Sequence, residues 1–171
     1  MKRPERNEYA PGYQAYIDLV ETGNFIELLD QNTISTIAFF KSIDKKNENL
    51  RYAENKWTIK EVLMHIIDTE RGFSYRAIVC TRNDRKIPLH YMDEEFYAQN
   101  VDVTEIPIDN LIEEFLAVRQ AFKLIYTNNP IEKFSFLGNA LEYNISARAL
   151  GFIAIGHVTH HINIIKERYL S

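Results

Sequence analysis

The chain has 171 residues, of which 46% are hydrophobic and 26% charged, with a formal net charge of −4. That length suits one domain with a proper core. The acidic balance argues against a nucleic-acid binder, which usually carries a basic face. No apolar run approaches the ~20 residues that span a bilayer, the charged start Met1 to Glu8 has no apolar signal core, and Cys80 is the one cysteine. A soluble protein of the reducing cytoplasm is expected, with neither nucleic acid nor membrane as partner.

In chain order, residues 9–20 are rich in aromatics around Pro11-Gly12. They are expected to end in a short helix, Tyr13 to Glu21, lying across the rest as a strap over residues 1–23. Asn24 is placed to cap a helix to about Ile43, with Phe25, Leu28, Leu29, Ile37 and Phe40 as its apolar positions. Residues 45–49 read as a polar connection. Thr58-Ile59-Lys60-Glu61 fits a capping box, in which the Thr side chain accepts from the third residue's N–H and Glu61 reaches back. The helix it opens is expected to run to about Arg82.

Residues 85–108 carry Pro88 and Pro107 and little periodicity, and read as a long irregular connection of the kind that drapes over an opening. His90 within it is expected at the surface. A third long helix is expected from Asp109 to about Asn128 on a stripe of Leu111, Phe115, Val118, Phe122 and Ile125. Residues 134–144 alternate around Gly138 and suggest a hairpin-like excursion. Ser146 then caps a final helix to about Tyr169. Four long helices over residues 24–170, joined by crossovers, make this an all-α four-helix bundle.

Chemistry concentrates in Gly156-His157-Val158-Thr159-His160-His161. His157 and His161 are four apart and so only about 40° apart around a helix, on a stripe with Leu150, Ile153 and Ile164. Burying two imidazoles there leaves ring nitrogens in need of partners. A shared metal answers both; a backbone carbonyl or neighbouring acid for each is the plainer alternative. His160 is turned about 60° the other way and suits the rim. His65, on the second long helix, shares a face with Glu61, Thr69, Gly72 and Arg76. That face is either solvated or the lining of a pocket opened by Gly72, with Arg76 available to an anion and Asp68 or Glu61 to orient an imidazole.

Lys56-Trp57-Thr58-Ile59-Lys60-Glu61-Val62-Leu63-Met64-His65-Ile66-Ile67-Asp68-Thr69-Glu70-Arg71 resembles the second-helix signature of the DinB-like (YfiT-like) metal-binding superfamily, and Tyr75-Arg76-Ala77 its continuation. Glu114-Phe115 with Val118-Arg119 resembles the third helix, and residues 156–161 with Ile165 to Leu170 the closing one. The resemblance spans about Tyr16 to Leu170. It implies an up-down-down-up bundle, often a homodimer, with a divalent metal on His65, His157 and His161; His160 is not carried over. Zinc is the first choice of metal and nickel the second. The implied activity is transfer of a low-molecular-weight thiol, such as bacillithiol or mycothiol, to an electrophile, or metal-dependent hydrolysis of a small molecule. The competing expectation is a non-catalytic, dimeric ligand-binding or stress-associated protein with a structural metal or none. Ile155, Ile162 and Tyr169 recur every seven residues, a spacing that fits core burial or a dimer seam.

Overall fold

The computed structural model describes residues 1–86, 88–89, 92–140 and 143–171. The expected surface position of His90 lies outside the described residues. A turn of 3-10 helix at Pro11–Tyr13 leads into the short helix α1 (Gln14–Asp18). The long helices are α2 (Phe25–Lys41), α3 (Ile59–Thr81), α5 (Ile108–Thr127) and α6 (Ala147–Arg168), with a short α4 (Glu94–Gln99) between α3 and α5. No helix among the described residues is long and apolar enough to cross a membrane.

The helices start where local chemistry places them. Asn24 Oδ1 accepts from the Ile26 and Glu27 amides, and Ser146 Oγ from the Ala149 amide. At α3 the capping box is complete: the Glu61 amide donates to Thr58 Oγ1 and the Thr58 amide to a Glu61 carboxylate oxygen. Each satisfies N–H groups that a helix start leaves without an internal acceptor. Pro107 precedes α5 as its cap residue, one position earlier than expected.

Side-chain pairs fix the helix directions. Phe25 packs against Phe152, and the Asn32 amide reaches the Ile155 carbonyl, so α2 and α6 run parallel. The Tyr169 hydroxyl donates to the Trp57 carbonyl while the Cys80 thiol faces the Ile145 carbonyl, so α3 opposes α6. Arg71 with Glu114 and Arg82 with Asn129 align α5 with α3. The order is up, down, down, up. Because α3 and α5 point the same way, the chain between them must return along a bundle about 30 Å tall, which is why that connection is long. It is not wholly irregular: Asp93 accepts from the Phe96 amide at 3.1 Å and starts α4.

β1 (Leu137–Asn139) and β2 (Asn144–Ser146) pair antiparallel, with Gly138 opposite Ile145, giving the expected hairpin-like excursion. A side chain on Gly138 would press a Cβ to 2.7 Å from Cys80 Sγ. Among the described residues the bundle holds two apolar cores. One gathers Phe25, Leu29, Phe73, Phe122 and Phe152; the other gathers Phe40, Leu63, Ile66, Phe115 and Ile165. Ile155, Ile162 and Tyr169 are buried within these cores, so their seven-residue spacing is core packing and not an exposed seam.

Candidate metal centre

Between the two cores lies a polar waist. Arg119 grips Glu70 through Nε to Oε1 at 2.6 Å and Nη2 to Oε2 at 2.7 Å, both side chains fully inside. The third arm of Arg119 donates to Asn32 Oδ1, whose amide in turn reaches Thr159 Oγ1. This network ties α2, α3, α5 and α6 together at the level of His157.

The three imidazoles singled out by sequence meet there. His157 Nε2 lies 3.0 Å from His65 Nε2 and 3.0 Å from His161 Nε2. Among the described residues this is the one group of His, Cys, Asp or Glu whose candidate ligand atoms all fall within 4.8 Å of one another. His65 and His157 are buried and His161 is half-buried. Burial pushes the His65 imidazole down to about 4 and His161 to about 3, the latter aided by His65 and His160; His157 is driven well below its ordinary value by burial and by its neighbours. All three rings are therefore neutral at pH 7.

Neutrality makes the cluster unsatisfiable by protons alone. A neutral imidazole nitrogen either donates one hydrogen or offers one in-plane lone pair. His157 Nε2 can serve only one of its two close neighbours in either state. The other 3.0 Å approach is then left without a hydrogen bond of its own. A cation that accepts all three lone pairs removes the conflict. Tetrahedral ligation by imidazole at about 2.0–2.1 Å sets nitrogens about 3.3–3.4 Å apart, a small adjustment from 3.0 Å. The donor set thus fits a divalent metal.

The surround was only partly legible. Trp57 covers His65 with ring centroids 4.7 Å apart, and Tyr16 of α1 stands edge-on to His157 at 5.5 Å and His160 at 5.2 Å. Tyr16 gets there because α1 is pressed onto α6 at Gly156, where an added Cβ would sit 1.9 Å from the Tyr16 carbonyl oxygen. Gly156 stands next to the histidines in the sequence, but nothing local reveals that approach.

A cavity of about 420 Å³ opens beside His157, lined among others by Tyr13, Tyr16, Thr69, Gly72, Phe73 and Arg76. The His65 face is a pocket lining and not a solvated surface. An added Cβ at Gly72 would meet nothing within 4 Å, so this glycine does open space. Burial and the adjacent Tyr143 hold the Tyr13 hydroxyl protonated, up at about 12. On the far side, a hollow of about 180 Å³ touches His161, Trp57 and Tyr169.

The other candidates fall into place around this. Asp68 and Arg76 line the cavity; burial raises the Asp68 carboxyl although Arg71 pairs with it at 3.0 Å. Glu61 is held by the Thr58 amide and by both arms of Arg51 at 2.8 Å, so its work is at the helix start. His160 lies at the rim, its ring 5.3 Å from that of His161 and outside the converging group.

A family model described as the DinB superfamily matches residues 28–165. Among solved structures the chain is similar to YfiT from Bacillus subtilis, described as a probable metal-dependent hydrolase with an unusual four-helix bundle topology. The TM-score is 0.73 at 12% identity, over 97% of this chain and 90% of that one. At that identity the likeness speaks for the fold. No curated protein matches this chain.

Proposed function

This chain belongs to the DinB superfamily, and from that premise we propose that it is a metal-dependent enzyme, a hydrolase of a small molecule, with His65, His157 and His161 as the ligands of one divalent cation. The observation that carries the reading is the convergence of three neutral imidazole nitrogens from α3 and α6 on one point, beside a 420 Å³ cavity. Three neutral ligands from the protein leave a cation its full charge and an open position. Zinc is the first choice and nickel the second, since imidazole suits both.

When bound, the cation would supply Lewis acidity, acidifying a water toward a pKa of ~7 or converting a substrate thiol to thiolate. The chain's own residues do the rest. Trp57 and Tyr16 pack against the imidazoles on either side and hold their rings in place. Tyr13 and Tyr16 keep their protons at neutral pH, so their hydroxyls can donate as well as accept. Asp68, its carboxyl raised by burial, is placed on the cavity wall to exchange a proton with solvent. The YfiT likeness favours hydrolysis over thiol transfer; transfer of a low-molecular-weight thiol is the other reaction the same Lewis acid serves.

Zinc-loaded protein is to be assayed against aryl esters, anilides, and low-molecular-weight thiols paired with a chromogenic electrophile. Turnover in one class, lost on chelation and in His157→Ala, is the expected result. A fully metallated protein inert toward every class would favour a structural metal.

A further inference from the structure

Each histidine of the triad faces a hollow of its own. The 420 Å³ cavity touches His157, the 180 Å³ hollow touches His161, and a third space of about 10 Å³ touches His65. The space at His65 holds at most one water. Among the described residues, α4 is the one element besides α3 that lines all three. Glu94 and Tyr97, with Met92 just before the helix, wall the hollows at His157 and at His65; Glu95 walls the one at His161. Glu94, Tyr97 and Ala98 stand at i, i+3 and i+4, so they form the inner face of α4, over Glu61, His65 and Asp68 of α3.

Little holds α4 in that place. None of its side chains is buried, and Phe96 and Tyr97 are 60% and 50% exposed. Among the described residues, the hydrogen bonds of residues 92–100 close within that segment. Asp93 Oδ1 accepts from the Phe96 amide, the Asp93 carbonyl from the Tyr97 amide, and the Phe96 carbonyl from the Asn100 side chain. A helix of six residues does not stand by itself in water. The flanks, by contrast, are fixed. Leu89 is buried and its amide donates to the Asn139 carbonyl at 2.8 Å. Val103 is buried, and Lys60 Nζ donates to the Thr104 carbonyl at 2.6 Å and the Ile106 carbonyl at 3.0 Å. A segment pinned at both ends, with few buried contacts between them, opens locally while the core stays shut.

We propose that α4 is a movable cover of the metal centre, pinned at Leu89 and at Val103 to Ile106. Lifting it joins the hollows at His157 and His65, which already share Asp68, Met92, Glu94 and Tyr97 as wall. Settling it brings the inner face, Glu94 and Tyr97, onto a small molecule bound beside the histidines. The identity of that bound molecule as a metal ligand rests on the metal-dependent reading above; the mobility of α4 does not.

Hydrogen exchange read by mass spectrometry tests both parts, on the full chain, with benzohydroxamate as the probe. In metal-free protein, amides of residues 93–99 should exchange about a hundredfold faster than those in the middle of α3. Benzohydroxamate added to zinc-loaded protein should slow the α4 amides about tenfold relative to zinc alone, and should leave them unchanged in metal-free protein. Tyr97→Ala should keep the zinc affinity of wild type, measured by competition with a chromophoric chelator. It should bind benzohydroxamate about tenfold more weakly, the loss of one aromatic contact. Exchange in α4 as slow as in α3 would overturn the movable cover. Fast exchange that benzohydroxamate leaves unchanged in zinc-loaded protein, or equal hydroxamate affinity in Tyr97→Ala, would overturn its closing on a ligand. Wild-type protein that takes up no zinc would overturn the metal reading and the closing with it, while the exchange of metal-free α4 still decides whether the cover moves.

Discussion

At Gly156 the helix α6 has no room for a methyl group. An added Cβ would lie 1.9 Å from the Tyr16 carbonyl oxygen and 2.5 Å from its carbon, and both are backbone atoms that no rotamer change can move aside. Glycine to alanine inside an exposed helix ordinarily gains about 1 kcal/mol, whereas overpacking costs about 1–3 kcal/mol. Here the contact is with backbone, so the steric cost wins. Gly156→Ala should lower the melting temperature by several degrees, measured by circular dichroism; a rise would mean that α1 does not press on α6 as described. The Glu70–Arg119 pair makes a second argument at this scale. Each partner is buried and each satisfies the other, so removing one alone strands a charge at a cost of about 3–5 kcal/mol. Arg119→Met should show that loss in urea denaturation, and Glu70→Leu combined with Arg119→Met should recover much of it.

The elements differ in how readable they were. Asn24, Thr58 with Glu61, and Ser146 announced α2, α3 and α6, because a cap needs only residues within one turn. The helix α4 escaped, since six residues with an Asp cap and no buried side chain leave no apolar stripe to detect. The strap was foreseen as a segment, but its fastening was not. Glu8 accepts from Ser146, the cap of α6, and from Arg148, partners some 140 residues away that no local pattern discloses. Burial alone would raise the Glu8 carboxyl, but the bonds from Arg148 and Ser146 outweigh it and hold it below its usual 4.5. A carboxylate whose folded pKa is depressed adds stability above its unfolded pKa. That stability is lost as the pH falls from about 4.5 through the lower folded value. Glu8→Gln should therefore be less stable than wild type at pH 7, with the difference shrinking as the pH drops below 4.5. Melting curves of the two proteins between pH 3 and 7 check this, and a gap independent of pH would contradict it.

Over the whole molecule, the four long helices and their apolar faces were legible in the sequence, whereas the partnership of α3 with α6 came only through family resemblance. Spacing put His157 and His161 on one face; it could not bring His65 to them, because residue 65 sits 92 positions away and arrives by packing. The waist network depends on the same docking and was invisible for the same reason. A cation at the proposed triad would join α3 to α6 and bind only the folded chain. Free metal at a hundred times its Kd should therefore add about 2.7 kcal/mol, seen as a rise of about 5–10 °C in melting temperature for a chain of this size. His157→Ala should show no such rise.

The most direct measurement is the metal content of protein purified without a metal-affinity tag, wild type beside His65→Ala and His160→Ala. One divalent ion per chain is expected in wild type and in His160→Ala, and almost none in His65→Ala. A His65→Ala protein that still carried one ion per chain would contradict a centre shared between α3 and α6.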